Sequence, residues 1–202
     1  MNTMQRYLTR NEEATLFRLL RQRAGLANAM QITAARDLYL FLLLRHTGIR
    51  VGAATHITCA DAREAVATHY LQRRHDKGGR DGKTHCNKRA RRALQGLLRL
   101  RRAFGLAETA EATLLAHRAA AGMTQRAIQR RMAKWCSEAG LAVKATPHWW
   151  RHTRAMRVMQ DSTATDPRGV VQVLLDHRSI QSTAIYTRPS REEVERVSEE
   201  MG

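Results

Sequence analysis

TPHWWRHTRAMRVMQ, residues 146 to 160, and VVQVLLDHRSIQSTAIYT, residues 170 to 187, are apolar-rich runs separated by a polar interruption. The first carries His148, Arg151 and His152 within five residues; the second carries His177, with Tyr186 nine positions beyond it. Arginine and histidine beside an apolar helical run suit a phosphate whose charge must be stabilised while bonds change. A tyrosine that follows such a cluster reads as a nucleophile. Pro147 stands where proline suits a helix start, and Pro167 opens a further helix that runs to about Leu175. Residues 161 to 166 read as a loop. Trp149 and Trp150 read as core anchors.

The whole composition points to a polyanionic partner. A chain of 202 residues with 43% hydrophobic residues is long enough for one substantial core, and a single domain over 1–202 is the simplest reading. Its net charge of +17 favours nucleic acid as the partner. A bilayer-spanning segment needs roughly 20 apolar residues; the longest run here, Leu38 to Leu44, is far shorter and reads as buried helix. The N-terminal residues lack the apolar stretch of a secretion signal. Cys59, Cys86 and Cys136 lie far apart with no C-x-x-C spacing, so neither a disulfide framework nor a thiolate metal site is indicated, and a reducing cytoplasm is expected.

Upstream, Thr9-Arg-Asn-Glu12 fits a capping box for a helix over 9–23 that Gly25 ends. A second helix is expected over 34–46, closed by Gly48. Thr47-Gly-Ile-Arg50 follows directly. Arg50 there has two readings from the residues alone, a carbonyl cap or ion pair on one side and a functional cation on the other. Residues 65–73 favour strand, 76–82 a turn, and 83–87 a returning strand, giving a small antiparallel hairpin with a basic tip at Lys77, Arg80 and Lys83. A solvated turn is the plain reading of that tip; contact with a DNA groove is the other. Residues 88–104 resume a helical pattern with many arginines, which a wet face would also explain. A helix from Thr124 to Gly140 places Ile128, Met132, Trp135 and Cys136 inward, with Arg126, Arg130 and Arg131 outward. The last residues, 190–202, read as a short acidic helix.

Four boxes in order now resemble one family. Thr47-Gly-Ile-Arg50 is similar to the first arginine box of the tyrosine site-specific recombinases, the phage-integrase family. His148-Trp-Trp-Arg151-His152-Thr153 resembles its H-x-x-R-H-T box, Leu174-Leu175-Asp176-His177 its L-G-H box, and Ile185-Tyr186-Thr187 its tyrosine box. The resemblance extends over nearly the whole chain. It departs at Ala53, where many members carry an acid, and at Asp176, which replaces a glycine. The resemblance also begins almost at Met1, so a single-domain plan without the separate N-terminal DNA-clamping domain usual in the family is expected, similar to that of the fimbrial phase-switch invertases.

The resemblance implies a mainly α fold with a small antiparallel β-sheet, the DNA breaking-rejoining catalytic domain. It implies strand cleavage and rejoining on double-stranded DNA through a 3′-phosphotyrosine, leading to integration, excision or inversion. Tyr186 would be the nucleophile, Arg50 and Arg151 the phosphate clamps, Lys77 the acid for the leaving oxygen with Lys83 as the competing lysine, His148 the proton acceptor and His177 a phosphate donor. Arg80, Lys83, Arg126 and Arg130 would contact DNA. No metal and no cofactor is required. A tetramer on paired sites is implied, with the acidic tail docking through Val194 and Val197 on a neighbouring protomer, and accessory DNA-binding proteins are a further expectation. Two rivals remain. His148 and His152, at i and i+4, form a possible zinc pair, disfavoured by Arg151 between them. A catalytically inactive DNA-binding regulator on the same fold is the other.

Overall fold

The computed structural model describes residues 7–76, 80–116, 122–176 and 197–201. The chain divides into two compact units, Met1–Arg154 and Ala155–Gly202.

In the first unit, α1 (Arg10–Arg23) begins at the expected capping box: the Thr9 hydroxyl accepts from the Glu12 amide, and Glu12 answers by accepting from the Thr9 amide at 2.8 Å. Its Leu16, Phe17 and Leu20 are buried. Next comes α2 (Ala29–Thr47), five residues longer at its start than the apolar pattern predicts. The Asn28 side chain accepts from the Gln31 amide at 2.9 Å and so fixes the earlier boundary. Twelve of the nineteen residues of α2 are buried, among them the continuous stretch Leu43 to Arg45, so it runs through the core as a helix apolar nearly all round.

After the short α3 (Val51–Thr55) the structure departs from the expected strand. Residues 65–68 belong to α4 (Cys59–Thr68). A second capping box, Thr58 with Asp61, and four alanines hold this segment helical, and the β-branched Val66 and Thr68 fall in its last turn. His69, at φ 70°, terminates it in the left-handed region. Only then does the hairpin form, from β1 (Tyr70–Asp76) and β2 (Arg80–His85), antiparallel with Tyr70 opposite His85 and Gln72 opposite Lys83. The register shifts between Arg73 and Asp76. β1 packs on α3 and α4, and Arg74 on β1 reaches Asp61 of α4 at 3.0 Å.

The helix α5 (Lys88–Ala103) lies antiparallel along α2. Gly96 comes so close to the Tyr39 ring that a Cβ there would stand 2.6 Å from it, and Leu100 is buried with Ile32 and Ala35. α6 (Gln125–Glu138) buries Ile128, Met132, Trp135 and Cys136 as expected, and Gly140 at φ 67° closes it. Arg126 and Arg130 are exposed, but Arg131 does not simply face outward. Its guanidinium bonds Asp37 of α2 at 2.5 Å, and the Trp135 indole donates to the same carboxylate at 2.7 Å. Arg36 supplies a third partner at 3.0 Å. Asp37 is fully buried, which only such compensation makes tolerable.

α7 (His148–Asp161) gives its first half to this unit and its second half to the next. Trp150, fully buried, stacks on Phe17 at 5.1 Å and meets Phe41 at 5.9 Å. In the second unit, α8 (Pro167–Leu174) starts at Pro167, with the Asp166 carboxylate accepting from the Gly169 amide. Its Val171, with Leu175, packs on Ala155 and Met159 of α7. Residues 197–200 are helical and exposed. Among the described residues, no helix is long and apolar enough to cross a membrane. Cys59, Cys86 and Cys136 are free thiols, and burial pushes the last two up to about 11, which leaves them unreactive.

Candidate nucleic-acid cleavage site

The site begins at the end of α2. Thr47 turns its hydroxyl back onto the Leu43 carbonyl at 2.7 Å, and Gly48 then adopts φ 69°, ψ 13°. That left-handed turn is where glycine carries no steric penalty. Ile49 plugs into the core, 4% exposed, and Arg50 becomes the N-cap residue of α3. The box Thr47-Gly-Ile-Arg50 is therefore a sharp corner between two helices, and it holds Arg50 at the rim of the buried α2 in a half-buried position.

Arg151 comes to this corner from the other end of the unit. Its Nη1 donates to the Gly48 carbonyl oxygen at 2.8 Å, a contact between residues 103 positions apart, and the side chain is 4% exposed. Three neighbours on α7 fix it in place. Trp150 is clamped by Phe17 and Phe41, Thr153 is fully buried and accepts from the Leu8 amide at 3.0 Å, and His152 is 8% exposed. His148, one turn before His152, is exposed, and the two imidazoles meet edge-on with centroids 4.6 Å apart. Among the described residues no group of three histidine, cysteine or acidic side chains is arranged to hold a metal.

Two further elements border the corner. Gly52 lies against the side chain of Gln125, the first residue of α6, with a hypothetical Cβ 2.9 Å from Gln125 Nε2. This brings the start of α6, and with it exposed Arg126, beside α3. β1 also packs on α3, and Lys83 is exposed on β2. Arg80 is the first residue of β2. Lys77, His177 and Tyr186 lie outside the described residues. Asp176, just before His177, has φ 52°, the left-handed conformation that the glycine of an L-G-H sequence would adopt without strain.

One residue near the corner carries no signal in the boxes. His46, in the last turn of α2, is held in its neutral form with its pKa lowered to about 4, first by burial and then by the charges of Arg45, Arg89 and Arg154. Arg45 is itself bonded to Glu13 at 2.6 Å. The same helix supplies the other residue the sequence reading passed over, Asp37, the only acid in α2. A single carboxylate in a helix expected to be buried on most sides was its available signal.

The model of the phage integrase family matches residues 6–193. The tyrosine recombinase XerC of Haemophilus ducreyi is 32% identical over 152 residues, covering 75% of this chain and 47% of that protein. The chain spans about half the length of the XerC proteins it matches. Among solved structures, the XerA recombinase superposes with a TM-score of 0.73 at 20% identity, over 100% of this chain and 65% of the other. The XerH site-specific recombinase bound to its difH substrate gives 0.70 at 18% identity, over 94% and 52%. The mostly helical fold with its two-stranded antiparallel sheet is thus the fold of these recombinases.

Proposed function

The chain belongs to the phage integrase family, and from that premise we propose that it cleaves and rejoins double-stranded DNA at specific sites through a transient 3′-phosphotyrosyl link to Tyr186. The observation that carries this reading is the 2.8 Å bond from Arg151 to the Gly48 carbonyl. It sets one buried guanidinium against the turn that ends in the other arginine, Arg50. Two forked cations at one corner suit the two non-bridging oxygens of a phosphodiester.

In the proposed reaction the Tyr186 oxygen forms a bond to phosphorus, and the bond to the 5′-oxygen breaks. His148 accepts the phenolic proton; its exposed place at the start of α7 leaves it open to an incoming strand. Lys77, or Lys83 from the same hairpin, protonates the departing 5′-oxygen. Arg50 and Arg151 neutralise the charge that builds on the phosphorane, and His177 adds a hydrogen bond. Reversal by a second 5′-hydroxyl restores the phosphodiester and frees the tyrosine, so phosphodiester bonds are exchanged without a high-energy co-substrate. His152, packed edge-on under His148, orients that ring. Arg80, Lys83, Arg126 and Arg130 hold the flanking backbone. The assembly we propose is a tetramer on paired sites in the cytoplasm, with the acidic tail docked on a neighbouring protomer and accessory DNA-binding proteins setting the outcome among integration, excision and inversion.

A second reading, a DNA-binding regulator without cleavage, draws on one observation: the left-handed backbone at Asp176, one residue before His177, is a strained choice for a side chain at this point. One experiment separates the two. A nicked duplex carrying the cognate site loses its short fragment after attack and traps the covalent adduct on a denaturing gel. Wild-type protein is expected to form the adduct in the presence of a chelator, Tyr186→Phe to form none, and Arg151→Ala to fall by roughly two to three orders of magnitude. An adduct that persists in Tyr186→Phe relocates the nucleophile. Binding without any adduct from the wild type establishes the regulator.

A further inference from the structure

The exposed face of α5 is a feature that the cleavage site leaves unused. Lys88, Arg92, Gln95, Arg99 and Arg102 follow one another at spacings of three and four, so they share one side of the helix, and all are exposed. The sixteen residues of α5 contain seven cations and no acid. Arg102 is neutralised by Glu108 at 2.7 Å. Among the described residues, Lys88, Arg92 and Arg99 have no ion pair or hydrogen-bond partner through their side chains.

The charge is also placed against the helix's own field. Lys88, Arg89, Arg91 and Arg92 crowd the first turns, where the peptide dipoles present positive potential and carboxylates would be favoured. Each such cation costs a few tenths of a kcal/mol or more in an isolated helix. A bound polyanion removes that cost, and an ordinary solvated face does not require it.

The antiparallel packing of α2 and α5 says where the stripe runs. Arg89 acts electrostatically on His46, close to the Gly48 corner, whereas Leu100 packs with Ile32 and Ala35 toward the other end of α2. Ala35 and Gly48 are thirteen residues apart, about 20 Å along a helix. The stripe thus starts near the arginine corner and leads away from it. From Lys88 to Arg99 it covers about 16 Å, roughly half a turn of duplex.

Building on the DNA reading above, we propose that Lys88, Arg92 and Arg99 form a second, sequence-independent contact that grips the sugar-phosphate backbone of duplex DNA away from the scissile phosphate. The contact contributes affinity and no chemistry. It gives this chain a grip on DNA within the same unit that holds Arg50 and Arg151.

The test uses the 202-residue chain and the triple variant Lys88→Gln/Arg92→Gln/Arg99→Gln. All three positions are exposed and glutamine is a good helix former, so its melting temperature should equal or exceed that of the wild type. Binding to a non-cognate duplex is followed between 50 and 200 mM salt, beside Arg126→Gln/Arg130→Gln. Each lost phosphate contact lowers the log–log salt slope by about 0.9. The triple variant should therefore lose about 2.7 from the slope, while the yield of covalent adduct at saturating protein and low salt stays at the wild-type value. An unchanged slope in the triple variant, with a lowered one in Arg126→Gln/Arg130→Gln, overturns this proposal and leaves the DNA reading standing. A loss of adduct at saturation also overturns it, because the stripe would then belong to the reacting site. Absence of duplex binding by the wild type removes the DNA reading itself.

Discussion

Gly48 and His46 show how much of the corner rests on single residues. Gly48 sits at φ 69°, and Gly48→Ala must either hold alanine in the left-handed region, at roughly 1–2 kcal/mol, or open the turn. The expected outcome is a destabilisation of that size in urea unfolding, accompanied by a fall in cleavage larger than stability alone accounts for, because the carbonyl that receives Arg151 moves. His46 predicts a pH dependence. Its folded pKa, about 4, lies below the ordinary 6.5 because burial and three arginines disfavour the imidazolium. The folded state therefore binds fewer protons than the unfolded one. The stability from this group is complete above about pH 6.5 and is lost as the pH falls toward 4. At about 1.4 kcal/mol per unit the ceiling is roughly 3 kcal/mol, less after solvent screening of a partly exposed ring. His46→Gln should flatten the fall in unfolding midpoint between pH 6.5 and pH 4; an equally steep fall in the variant refutes the assignment.

At the scale of elements, the α2–α6 contact depends on one carboxylate. Asp37 receives Arg36, Arg131 and the Trp135 indole in a fully buried position. Asp37→Ala leaves two guanidinium groups and an indole without their acceptor and should cost roughly 3–5 kcal/mol, read from the denaturation midpoint. Asp37→Asn keeps an acceptor of the same shape and should cost less. Nothing in the amino-acid pattern announces this pairing, because Arg131 lies 94 positions from Asp37 and local periodicity sees only one helix at a time. Where the signal was local, the elements were legible. The Thr9 capping box, the Gly48 and Gly140 terminations and the buried face of α6 all stand as the pattern predicts. α4 was misread where β-branched residues in its last turn imitate a strand, and the start of α2 was missed because the Asn28 cap precedes its apolar run. Within the site, the arginine boxes were legible as residue types at fixed spacing. That Arg151 is held by a backbone carbonyl was not, since a carbonyl has no letter in the sequence.

For the whole molecule, charge is the dominant property. With a net charge of +17, duplex affinity should fall steeply between 50 and 200 mM salt, by about three orders of magnitude if six phosphates are engaged. A shallow dependence in a filter or fluorescence titration would show that the cations do not meet DNA. The long-range bond between Gly48 and Arg151 has another consequence, in the order of synthesis. A ribosome adding 5 to 20 residues each second needs roughly 5 to 20 s to pass from one partner to the other, across the 103 positions between them. Through that interval the nascent chain has its first arginine turn and no second arginine to complete it. A chain stopped between Arg50 and α7 remains in that state permanently. On the chemistry proposed here, products that end in that interval carry half of a phosphate clamp and no Tyr186, and are not expected to nick DNA.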